Sequence, residues 1–111
     1  MEKAQEPENK LDYRPLGVVK ELIEEVGAEV SYVYEDLIFI KHNHFLLQFG
    51  KVGEVLFFYA NDEMEPKDSV IQYEIIKKNG AEKGLTVVDQ GRYILTANEN
   101  EELTLKFLEK E

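Results

Sequence analysis

Along residues 15–27 the apolar side chains Val19, Leu22, Ile23 and Val26 fall at i, i+3, i+4 and i+7, the spacing of one stripe on an α-helix. Pro15 suits the first helical position, where a missing N–H costs nothing, and Gly27 suits the left-handed residue just past the last turn. Lys20, Glu21, Glu24 and Glu25 occupy the opposite face. The pattern predicts an amphipathic helix at the start of the fold.

After Gly27 the period drops from 3.6 to 2. In residues 29–35, Val30, Tyr32 and Tyr34 alternate with Glu29, Ser31 and Glu35, as in a half-buried strand. Apolar runs at 37–41, 44–49 and 54–60 follow, separated by short polar breaks at Glu35-Asp36, around Asn43 and at Gly50-Lys51-Val52-Gly53. Breaks that short require antiparallel neighbours, because parallel strands need a crossover of about a dozen residues or more. Two further hairpins are expected. One joins 85–89 to 92–97 around Gln90-Gly91, and the other leads through Asn98-Glu99-Asn100 into 102–108, where Leu103, Leu105 and Phe107 alternate with Glu102, Thr104 and Lys106.

Residues 70–79 admit two conformations. Ser69 and Gln72 match a capping box and Gly80 could end a helix. Val70, Ile71, Tyr73, Ile75 and Ile76, however, spread around the whole helical cylinder, whereas Ile71, Tyr73 and Ile75 share one face of a strand. β-Branched content and the Asn79-Gly80 turn signal favour the strand. The expected fold is therefore α+β: one N-terminal helix packed on a curled, mostly meandering antiparallel sheet of about seven to eight strands. Residues 1–12, acidic and nearly devoid of apolar side chains, are expected to form a tail, with a single domain over 13–111.

Composition narrows the functional classes. The chain has 111 residues, 43% of them hydrophobic and 32% charged, which is the profile of one globular domain. Its net charge of −10 argues against a surface that binds nucleic-acid backbones. Acid gathers at both ends and in residues 61–69, while residues 70–96 are slightly basic. No cysteine is present, so disulfides, thiolate metal sites and cysteine nucleophiles are excluded. The polar N-terminus resembles no secretory signal and no apolar run approaches the roughly 20 residues of a membrane span, so a cytoplasmic protein without membrane contact is expected.

Candidate chemistry is sparse. His42 and His44 could share a metal with Glu35 or Asp36 if they lay in one strand, but Asn43 between them reads as a turn, which makes them solvated hairpin residues. Asp62, Glu63, Glu65 and Asp68 offer hard oxygen ligands, yet their spacing and Pro66 do not fit a calcium loop. The glycines at 50 and 53 lead into a strand, so no phosphate loop forms there. Ser31 and Ser69 have no histidine and acid at legible spacing to activate them. No catalytic group, metal or cofactor is assigned.

The most informative feature is apolarity on both faces of the strands at 37–60. Leu37, Phe39, Phe45, Leu47, Phe49, Val55, Phe57 and Tyr59 can fill one face, which leaves Ile38, Ile40, Leu46, Leu56 and Phe58 for the other. One helix covers one face only. The second must be covered by later strands, a protein partner, a second copy of the chain or an apolar ligand. The expected function is accordingly a small acidic, non-enzymatic protein-interaction domain, homodimeric or partner-bound, with Ile38, Ile40, Leu46, Leu56 and Phe58 as its surface. The alternative is a small-molecule-binding cup lined by Phe57, Tyr59, Tyr73 and Tyr93, on which an enzyme could also be built.

Overall fold

The computed structural model describes residues 15–97, 99–100 and 102–109; the expected tail at 1–12 lies outside them. Helix α1 (Leu16–Glu25) buries Val19, Leu22 and Ile23, three of the four stripe residues. Gly27 adopts φ 86°, and the Ala28 N–H donates to the Ile23 carbonyl at 3.0 Å to close the turn. Strands β1 (Val30–Tyr34), β2 (Leu37–Ile40), β3 (Phe45–Phe49) and β4 (Val55–Asn61) then form an antiparallel meander, as the short breaks require.

From there the chain departs from the expected meander. Residues 66–81 form a second helix, α2 (Pro66–Ala81), not a strand. Pro66 sits in its first turn, Asp68 complements the N-terminal end of the dipole and Lys78 the C-terminal end. The residues turned toward the sheet are Ser69, Gln72, Tyr73, Ile76, Asn79 and Gly80, at true helical spacing. Three of these are polar and one is glycine, while Val70, Ile71 and Ile75 point outward. The apolar pattern therefore carries almost no helical period, although the conformation is helical.

This helix supplies the crossover that a parallel pair needs, and β5 (Thr86–Ala97) lies parallel to β4. The expected hairpin at Gln90-Gly91 is instead an irregularity within one 12-residue strand: Phe58 faces Asp89, Tyr59 faces Gly91, and Gln90 is the extra residue. Gly91 takes φ 142° and its N–H donates to Asp89 Oδ1 at 3.2 Å. The final strand β6 (Leu103–Glu109) pairs antiparallel with β5. A strand lost to α2 and two fused into β5 leave six strands, in sequence order β1 to β6, with two helices in place of one.

Both helices pack on the same sheet face. Val19, Leu22 and Ile23 of α1 and Ile76 of α2 close over Ile38, Ile40, Phe45, Leu47, Phe49, Leu56, Phe58, Leu85 and Val87. Phe45 and Phe58 stack at 5.5 Å between ring centroids, and Tyr73 donates its hydroxyl to the Val87 carbonyl at 3.0 Å. Lys83, just past α2, binds Glu25 at 2.8 Å and Glu21 at 3.4 Å on α1. The bond to Glu25 is the main reason its ammonium pKa is raised; partial desolvation opposes it and Glu21 adds to it. No helix among the described residues is long and apolar enough to cross a membrane.

Candidate functional site

Among the described residues no helix lies on the other sheet face. Pairing Phe39 with Leu46 and Leu46 with Tyr59 sets these side chains on that face, together with Leu37, Phe57, Tyr93, Leu95, Leu105 and Phe107. Leu46, Tyr59 and Tyr93 are buried and form its floor, with the Tyr59 and Phe107 rings 4.3 Å apart. Residues 94–97 of β5 run beyond the end of β4 and pair only with β6, so the β5–β6 hairpin projects past the meander. The sheet curls until this hairpin and the β1–β2 hairpin face each other across a groove of about 570 Å³.

Tyr32, Tyr34, Leu37 and Phe39 line one wall of the groove and Leu95, Leu103 and Leu105 the other; Ser31 and Asn43 add polar groups. None of these residues is an Asp, Glu, Lys, Arg or His, in a chain of which 32% is charged residues. Tyr32, Tyr34 and Leu103 remain 60%, 53% and 66% exposed, a cost in apolar hydration that the described residues do not relieve.

Two polar networks shape the floor. Tyr93 donates its hydroxyl to the Asn43 carbonyl at 2.9 Å, and Asn61 Nδ2 donates to the same oxygen at 2.8 Å. These two hydrogen bonds to one carbonyl anchor the turn in which His42 and Asn43 both take left-handed φ, 70° and 53°. Burial pushes the Tyr93 phenol above its usual pKa, with the Asn61 side chain pulling the other way. In the second network Tyr59 donates to Gln48 Oε1 at 3.3 Å, and Gln48 Nε2 donates to Asp36 Oδ2 at 3.1 Å, which holds a carboxylate at one edge of the curled face.

The residues singled out from the sequence are placed differently from one another. Ile38, Ile40, Leu56 and Phe58 are buried under α1 and α2, and Leu46 is buried on the opposite face. None of the five is an accessible surface, because the chain covers them. Their grouping fails through the phase of β3: Ile38 pairs with Leu47, and Leu47 with Phe58, so Leu46 faces the other way. Of the expected cavity residues, Phe57, Tyr59 and Tyr93 meet on the groove side, whereas Tyr73 packs under α2 on the other. The groove walls at Tyr32, Tyr34, Leu37, Phe39, Leu95, Leu103 and Leu105 carry a signal in the alternation of β1 and β6. What brings the two walls together is the curl, which alternation does not encode.

His42 and His44 lie 6.2 Å apart by ring centroid in and just after the turn Lys41–Asn43, beside a shallow pocket of about 390 Å³ that also holds Glu24, Glu29 and Lys41. Among the described residues no group of three or more His, Asp or Glu is placed to hold a metal ion. The acidic loop at 61–68 serves as the entry to α2. Arg92 ties it to β5, donating to the carbonyls of Asn61 at 3.0 Å and Met64 at 3.1 Å and to Ser69 Oγ at 3.2 Å. Comparison of the chain with family models, with curated proteins and with solved structures returns no match.

Proposed function

We propose that this protein is a non-enzymatic binding module of the cytoplasm whose curled sheet takes an apolar guest on the face opposite α1 and α2. The observation that carries this function is the uncharged groove of about 570 Å³ between the β1–β2 and β5–β6 hairpins, a volume within the roughly 300–1,000 Å³ of small-molecule sites. Burying exposed tyrosine and leucine surface supplies the affinity, and Ser31, Asn43 and the tyrosine hydroxyls orient the guest. The experiment is a titration with N-phenylnaphthylamine, a neutral fluorophore that brightens in apolar surroundings. Saturable binding is expected, and Leu103→Asp, at an exposed wall position, should weaken it about tenfold or more without unfolding the chain. Absence of saturable binding sinks the proposal.

A protein-interaction function is the second reading, and one observation favours it. Val70 and Ile71 on the outer side of α2 are 58% and 57% exposed and Ile75 lies beside them, an apolar stripe suited to a partner or a second copy of the chain. Sedimentation over a range of concentrations decides the homodimer: mass that doubles with concentration and reverts with Ile71→Lys supports it, and a constant monomer mass removes it.

A further inference from the structure

We propose that the guest is a cationic amphiphile, an apolar chain or ring system bearing an ammonium-type group, and this rests on the groove reading above. A groove without internal charge selects an apolar body, so the sign of any head group is set by what surrounds the opening. There the chain offers carboxylate and aromatic faces. Asp36 does not line the groove but lies in the β1–β2 turn between the wall residues Tyr34 and Leu37, and its carboxylate accepts from Gln48 Nε2 at 3.1 Å. The rings of Tyr32 and Tyr34 form part of the wall and stay more than half exposed. A cation within about 6 Å of such a ring is attracted by its quadrupole, and an anion is not.

Among the described residues, two cations close to the groove in the fold are held or turned away from it. Lys41, next to the Asn43 turn, is held by Glu29 at 3.1 Å. Lys106 of β6 pairs with Ile94 and alternates with the wall residue Leu105, which turns it to the other face. A fatty acid would therefore bring its carboxylate to aromatic walls flanked in sequence by Asp36, in a molecule of charge −10. An alkylammonium head meets the opposite field.

Three probes with the same ten-carbon chain, decyltrimethylammonium, decanol and decanoate, separate the head-group effect from the apolar one when each displaces N-phenylnaphthylamine below its micelle concentration. At high salt, which screens the distant charges but not a contact, the ammonium is expected to displace at a concentration at least about tenfold lower than the carboxylate. Asp36→Asn and Tyr34→Leu should each narrow that ratio. Equal displacement by the two ions, a preference that disappears in salt, or a ratio unmoved by both substitutions overturns the cationic assignment while decanol displacement leaves the apolar groove standing. Failure of the fluorophore itself to bind overturns both.

Discussion

Tyr93 shows how one side chain ties β5 to the turn between β2 and β3. Its ring is part of the groove floor and its hydroxyl reaches the Asn43 carbonyl 50 residues away in sequence. Tyr93→Phe removes one of two donors to that carbonyl while Asn61 retains the other, so denaturant unfolding should show a loss of only about 1 kcal/mol. The phenol also has a pH signature. Its folded pKa is raised, so above pH 10, its usual value, the unfolded chain releases a proton that the folded chain keeps, and stability falls as pH rises. Lys83 acts in the same direction: its raised pKa, due first to Glu25, gives a contribution fully present below its usual 10.5 and lost as pH climbs through the folded value. Urea midpoints measured on either side of that range should fall, and fall less in Tyr93→Phe; a midpoint rising with pH would contradict both assignments. Gly80 sets another local limit, because a Cβ there would meet Val87 Cγ2 at 3.0 Å where α2 crosses β5. Gly80→Leu is expected to cost at least about 1–3 kcal/mol by overpacking, read from the same unfolding curves.

At the scale of elements, α1 and the meander β1 to β4 were legible because each keeps one period and its breaks carry turn residues. The same logic hid α2 and β5. Helix α2 presents Ser69, Gln72 and Asn79 inward and Val70, Ile71 and Ile75 outward, so hydrophobicity reports the wrong face. Strand β5 passes straight through Gln90-Gly91, where a bulge absorbs what reads locally as a turn. The inward anchor of α2 is Ile76, fully buried, and Ile76→Ala should destabilise the fold by about 2–5 kcal/mol. Ile75→Lys, one residue earlier on the outer side, should change stability by less than about 0.5 kcal/mol. A comparable loss for the two in chemical denaturation would show that α2 is rotated from the position described.

The whole molecule divides its two apolar sheet faces between different fates. One is sealed by α1 and α2, which accounts for Ile38, Ile40, Leu56 and Phe58 without any partner. The other curls into a groove with a buried floor of Leu46, Tyr59 and Tyr93 and exposed walls at Tyr32, Tyr34 and Leu103. That the sheet is apolar on both sides could be read in the chain; which side stays open depended on a second helix and on the phase of β3. On the proposed reading, the molecular charge of −10 favours a cationic over an anionic guest. The most direct test is the fluorophore titration of the wild-type chain beside Leu103→Asp. One saturable site, weakened about tenfold or more in the variant at unchanged unfolding midpoint, is the predicted result. Equal binding by the two proteins, or none by either, would contradict the assignment of the curled face as the site.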